Sequence, residues 1–402
     1  MTRGVAITGA GAVTSLGRSL EETWRSLAAC DTIAAPPGGS SSSSELARGH
    51  RVTVRSAAEF GITARDAWLM GQHGLLLVQV GKEVLRGSSL DRAMPPAAEI
   101  AFYAALGIVD PAPEDLSRAV LDSLRDGRFD VELFFSKGYR AIHPLWPLSA
   151  LNNVGFSLAC QHLGISGENG VFSPGADASL LAVVEAAWAV AAGRAKVALA
   201  AGVSETCSAS SLARAWLCGD GSETGWVPGE GCAAVALERV ADAEARGATI
   251  LANVVAWGFA CGEDGPAAIR TAITAALRDA ELGPRDIDAT FFAGTEVGQQ
   301  ENAEMVAVAD LFPGSDRARP LLAIPRSIGN MLAAAGVAGL VLATQALHLQ
   351  HLPAALLASG RAVSPQQAPR GLAGHERPLR RIAVVSRGHG GQVAAVVIED
   401  TR

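Results

Sequence analysis

Apolar and polar positions along the chain switch between two periods. Short apolar runs at 4–8, 99–107, 169–173, 196–202 and 232–238 predict strands. A helix from about Leu20 follows the first run, and helix-period stretches at 66–86, 114–125, 150–164 and 178–192 separate the others. Beyond about residue 245 the pattern resumes: strand 249–258, helix 266–281, strand 288–293, helix 300–311, strand 321–324, helix 331–349, then strands 381–386 and 392–399. Alternation of this kind implies a layered α/β fold. Both halves end in a long Ala-rich helix followed by paired strands. That predicts two similar halves, 1–245 and 246–402, around one core with no polar tether between them.

Composition sharpens this picture. Of 402 residues, 49% are hydrophobic, only 5% are aromatic and 44 are Gly, so the layers pack through small side chains. The net charge of −7 and the absence of any Lys/Arg block argue against a nucleic-acid partner. Six scattered cysteines without a C-x-x-C pair, behind a glycine-broken start, predict free thiols in a cytoplasmic protein. The 331–349 helix is shorter than a bilayer needs, roughly 20 residues, and reads as a core helix. Residues 35–45, rich in Pro, Gly and Ser, read as a surface loop. Gly9-Ala10-Gly11 follows a strand but lacks the rest of a dinucleotide fingerprint, so a plain tight turn is expected there. No cofactor is implied. His348 and His351, at i and i+3, have no third ligand for a metal.

Several motifs are more specific. They are Val5-Ala-Ile-Thr-Gly-Ala-Gly-Ala-Val-Thr-Ser-Leu-Gly17 with Trp24, Ala192 to Glu205, Val227-Pro-Gly-Glu-Gly-Cys-Ala-Ala-Val-Ala-Leu-Glu238, Gly294-Thr295 with Glu304, Arg326-Ser-Ile-Gly-Asn330 with Ala334-Ala-Gly336, and Gly388-His-Gly-Gly391. In this order, from end to end, they resemble the landmarks of β-ketoacyl synthases, the condensing enzymes of fatty-acid and polyketide assembly. The resemblance implies a thiolase-like five-layer αβαβα fold made of two βαβαβ-type halves, in an obligate dimer.

Such an enzyme needs a thiolate at a helix N-terminus, where the helix dipole lowers its pKa and backbone N–H groups stabilise an oxyanion. It also needs two histidines that act on the enolate. Counting seventeen residues back from Gly193, as the family pattern requires, puts the nucleophile position at Ala176. The two histidine positions fall on Ala293 and Asn330, the supporting lysine on Arg326 and the gating Phe on His389. A methyl group attacks nothing, and an amide exchanges no proton near neutral pH. Ser173, Cys160 and Cys207 are the nearest substitutes, but none has an adjacent base. Asp177 and Ser179 read as N-terminal caps of the following helix, and His162 as a helix-end residue.

A retained fold with erased chemistry resembles the chain length factor of type II polyketide synthases, although many of those carry Gln where this chain has Ala176. The resemblance implies an active ketosynthase as heterodimer partner, an acyl carrier protein reached through the complex, and an acyl or polyketide chain held in the partner's tunnel. Leu145 and Trp146, in the segment matching the family's cross-dimer loop, are the candidate tunnel wall, with Phe134, Phe135, residues 107–120 and His389 as further candidates. His143 in that segment reads as a surface residue. Alternatives are a free-standing ketosynthase-like acyltransferase or decarboxylase with a rearranged nucleophile, and a pure scaffold for the active subunit.

Overall fold

A computed structural model of the chain describes residues 4–29, 49–110, 112–173, 175–217, 227–293, 306–308, 310–311, 320–356 and 378–402. The first half runs β1 (Val5–Val13), α1 (Leu20–Ala28), α2 (Ala64–Gly87), β2 (Ile100–Leu106), α3 (Glu114–Leu121), a hairpin of β3 (Leu124–Arg125) and β4 (Arg128–Phe129), α4 (Val131–Ser136), α5 (Trp146–Ser149), α6 (Asn152–Leu163), β5 (Asn169–Phe172), α7 (Ala178–Ala191), β6 (Val197–Ser204), α8 (Ala209–Leu217) and β7 (Gly231–Arg239). Helix α9 (Val240–Ala245) closes the first half, and the second runs β8 (Ala252–Cys261), α10 (Gly265–Asp279), β9 (Ala289–Ala293), β10 (Leu321–Ala323), a helical turn Pro325–Ile328, α11 (Ala335–Leu349), β11 (Arg381–Arg387) and β12 (Gln392–Glu399).

The sheet order β10-β9-β11-β12-β8-β1-β7-β6-β2-β5 contains one pattern twice. In the first half β1 pairs antiparallel with β7, β7 antiparallel with β6, β6 parallel with β2, and β2 parallel with β5. In the second half β8, β12, β11, β9 and β10 repeat that order and those directions. Each half is thus a five-stranded sheet visited in the same sequence, which makes the halves topologically equivalent. They join where Val5, Ala6 and Ile7 of β1 pair with Val254, Asn253 and Ala252 of β8.

Burial defines the five layers. Leu180, Val183 and Val190 of α7 and Leu340 and Leu347 of α11 share one core with residues of both sheets. Leu76, Val80 and Val84 of α2, with Phe156 of α6, cover the outer face of the first sheet. Ile269, Ile273 and Leu277 of α10 cover the outer face of the second. The apolar segment Leu332–Leu349 is long enough to span a membrane by composition alone, yet most of it is buried between the sheets.

Two expectations about the backbone change. Gly9-Ala10-Gly11 is not a turn: it lies inside β1, paired with Ala236, Val235 and Ala234 of β7. The glycines are needed for close packing, because a Cβ on Gly9 would stand 2.7 Å from the Val84 carbonyl of α2. The 114–125 helix stops at Leu121, and its tail becomes the β3–β4 hairpin. The Ser-rich loop and most of the 300–311 helix lie outside the described residues.

Candidate functional site

The parallel strands of each half end on one side, and the positions expected to have lost catalytic groups lie near those ends. Ala176 sits in the turn that enters α7 and is completely buried. Its carbonyl would be 2.9 Å from a Cβ on Gly336, so α7 and α11 touch at this point without room for a larger residue on α11. Ala293 ends β9, also fully buried, and its carbonyl accepts a 3.1 Å hydrogen bond from the Ser386 hydroxyl of β11. Asn330 is buried too. Its Oδ1 accepts from the Leu332 amide at 2.9 Å, and its own backbone is tied to Val227 and Gly229. That oxygen is committed to shaping the loop.

These positions share one neighbourhood. A Cβ on Gly202 would meet Ala333, Ala334 and the Ser179 side chain, which places the loop after Asn330 against the start of α7. On the other side, the Asp177 carboxylate lies against Gly388, two residues beyond Ser386. At these three positions stand two methyl groups and an amide, with no imidazole among them. His389 is exposed on the β11–β12 turn. Arg326 lies in the Pro325–Ile328 turn, with its side chain outside the described residues, as are Gly294, Thr295 and Glu304.

The nearby substitutes are unsuited to attack. Burial pushes the Cys160 and Cys207 thiols up to about 12 and raises Cys232 well above its ordinary value, so all three stay protonated near neutral pH. Ser173 is exposed, one residue beyond β5. Two capping expectations are corrected. Asp177 occupies the N-cap position but makes no side-chain hydrogen bond to the helix, because its backbone is already helical there. It instead borders an apolar cleft of about 290 Å³ with Leu181, Phe259, Cys261 and Gln392, and burial raises its pKa. The Ser179 hydroxyl accepts from the Val337 amide at 3.0 Å and so ties α7 to α11.

Most of the proposed wall residues lie on α4 and at the start of α5. His143 is exposed, its Nδ1 accepts from the Leu145 amide, and its ring packs edge-on against Trp68 of α2 at 4.9 Å. Leu145 and Trp146 begin α5 half-buried, and the Trp146 indole nitrogen is buried without a protein hydrogen-bond partner. Phe134 is half-buried between the rings of Phe129 and Phe135, and Phe135 is 70% exposed. His162 lies 3.4 Å from the Asp66 carboxylate, a side-chain contact rather than a helix-end role alone. His351 packs edge-on to Trp24, and among the described residues no group of three or more metal-ligating side chains occurs.

Sequence reasoning missed three ionisable groups, a buried histidine and two half-buried glutamates. Glu83 of α2 accepts from the Leu20 and Ala12 amides, and burial raises it to about 7. His73 and Glu205 face each other with Nδ1 and Oε1 3.9 Å apart. The available signals were a histidine inside an apolar helical run and a glutamate closing an apolar strand.

The first family-model match covers residues 2–243 with the β-ketoacyl synthase N-terminal domain, and the second covers 253–358 with its C-terminal domain. This chain belongs to the β-ketoacyl synthase family. Among curated relatives, naringenin synthase of Pestalotiopsis fici is 32% identical over 277 residues, covering 59% of this chain and 10% of that protein. The pikromycin polyketide synthase component PikAII of Streptomyces venezuelae is 27% identical over 375 residues, covering 85% of this chain and 9% of that protein. This ketosynthase relative therefore spans about a tenth of the length of those two proteins. Among solved structures, the ishigamide ketosynthase/chain length factor superposes with a TM-score of 0.79 at 20% identity, covering 100% of both chains. The ketosynthase from module 6 of the bacillaene synthase of Bacillus subtilis gives 0.74 at 17% identity, covering 99% of this chain and 72% of that one.

Proposed function

We propose that this β-ketoacyl synthase relative is a non-catalytic subunit that pairs with an active ketosynthase and walls the tunnel in which the acyl or polyketide chain grows, the role of a chain length factor in type II polyketide biosynthesis. The observation that carries the reading is the triple substitution at the strand ends. Ala176, Ala293 and Asn330 supply neither a nucleophile nor a proton-exchanging group. The buried thiols nearby are held protonated, which removes the main support for a rearranged nucleophile.

The surface supports a partner. Leu121, Phe129, Val131, Phe135, Leu148 and Leu151 are all exposed within one 31-residue stretch, 121–151. Strand β5 lies at the end of the sheet order, with one edge unpaired among the described residues, beside a groove of about 720 Å³ between it and α6. Apolar side chains beside an open strand edge suit an obligate interface, which typically buries more than roughly 2,000 Å². Two similar structures point the same way: the ishigamide ketosynthase/chain length factor, and a type II acyl-carrier protein in complex with its ketosynthase. On this reading the carrier docks mainly on the active subunit, because carriers are acidic and this chain carries −7. The proposed assembly works in the cytoplasm.

The test is co-expression with a cognate ketosynthase. The reading predicts a stable heterodimer that condenses malonyl carrier, a lone chain with no turnover, and longer products when Trp146 is truncated to Ala. Turnover by the lone chain contradicts it. Unchanged product length in the Trp146→Ala complex reduces the role to that of a scaffold.

A further inference from the structure

Helix α2 is interrupted. Gly71 has φ +59° and ψ −172°, far from helical values, so the helix stops and restarts within one element. A restart creates a new helix N-terminus with orphan amides. One of them belongs to His73, and it draws down the pKa of the Glu205 carboxylate just beyond β6. The imidazole of His73 then lies over the same carboxylate at 3.9 Å, too long for a direct hydrogen bond but within ion-pair reach. Neither ring nitrogen of His73 nor Oε1 of Glu205 has another protein partner. The ring fits only because α6 carries Gly155 beneath it: a Cβ there would stand 2.2 Å from Nε2.

We propose that the His73–Glu205 contact acts as a latch, the pair carrying one titratable proton in all, and that it fixes the broken helix α2 to the end of β6 and thereby positions the Trp68–His143–Trp146 surface. Glu205 faces His73 at the restart of the helix, and the segment before the break carries Trp68, on which His143 packs three residues before Trp146. Only the description of that surface as a tunnel wall rests on the function proposed above.

The electrostatic surroundings set the proton count. His73 is lowered to about 4 by burial. Glu205 is raised to about 7, first by burial, then by the negative charges of Glu230 and Asp110. Asp110 is itself neutralised by a two-pronged ion pair with Arg214 and by the Ser208 and Ser211 hydroxyls, which leaves Glu230 as the main opposing charge. In an opened latch both groups return toward ordinary values of 6.5 and 4.5. Between those values, opening releases one proton from Glu205 and takes up one at His73. The net exchange is zero, so the intact pair opens equally readily across that range.

Removing either partner uncovers the other, with opposite sign. Glu205→Gln leaves His73, whose folded pKa is depressed, so opening rises as pH falls. His73→Gln leaves Glu205, whose folded pKa is raised, so opening rises as pH climbs. Each effect amounts to about tenfold between pH 5.0 and 6.5.

The test is hydrogen exchange on the purified full-length chain, followed in peptides covering 64–76 and 143–151 and corrected for intrinsic rates. The latch predicts a flat profile for the wild type and opposite slopes for the two variants. The same slope in all three proteins overturns it. Should a Gln variant fail to fold, Gly155→Ala displaces the ring while keeping both titrating groups. It should speed exchange in both peptides at both pH values, and wild-type rates there also overturn the latch. No partner enters this measurement, so a failed latch and a failed chain-length role remain separate results.

Discussion

Glu83 couples three elements at the base of the first half, and its titration makes a quantitative prediction. Its carboxylate accepts from the amides of Leu20, at the start of α1, and Ala12, in β1, while the side chain itself comes from α2. It lies against Gly11, where a Cβ would stand 3.2 Å from the carboxyl group. Burial raises its pKa from 4.5 to about 7 against the pull of both amides and of Arg55 and Arg86. The fold therefore prefers the protonated form. The stability this contributes is fully present below 4.5 and is lost as pH rises through 7. The shift amounts to about 3 kcal/mol, taking about 1.4 kcal/mol per pH unit. Glu83→Gln keeps a neutral acceptor for the amides and removes the titration. In urea unfolding at pH 5 and pH 8, the stability of the variant relative to wild type should rise by about 2.5 kcal/mol between the two conditions. His73 and Glu205 titrate in both proteins, so they cancel in the difference. Equal pH dependence in the two proteins would refute the claim that Glu83 is held protonated by its surroundings.

Other consequences are simpler. Gly258 of β8 faces α10 so closely that a Cβ would stand 2.1 Å from the Ala272 carbonyl, so Gly258→Ala should force the helix outward and cost about 1–3 kcal/mol by chemical denaturation. Gly247, which has φ +70° and open space around it, should lose stability on Gly247→Ala through backbone strain alone, by about 1 kcal/mol. Ala176→Cys restores a thiol at the head of α7 but not the two histidines, so the lone variant should show no condensation in a carrier-loaded malonyl assay. Each absent acid–base group withholds about 10²–10⁴ in rate.

Much of the architecture was legible because periodicity reports burial directly. The strands at 381–386 and 392–399 and the helices at 178–192 and 266–281 reappear within two residues of their expected ends. Gly9-Ala10-Gly11 misled because two glycines near a strand end signal a turn locally. Their cause here is distant, the backbone of α2 pressed onto β1. Asp177 and Ser179 carry the right residue types for capping, but the turn before α7 is already helical, and Ser179 faces Val337, 158 residues away. Ala176, Ala293 and Asn330 were singled out only through the spacing of the family's motifs, which no periodicity of this chain supplies. The His73–Glu205 pair could not, because nothing in the sequence places residue 205 at the restart of a helix broken at Gly71.

Intact-mass analysis of the chain beside an active ketosynthase, after incubation with an acyl thioester, tests the non-catalytic assignment most directly. The prediction is an acyl adduct on the ketosynthase and an unmodified mass for this chain. An adduct on this chain, formed as fast as the one on its partner, contradicts the assignment.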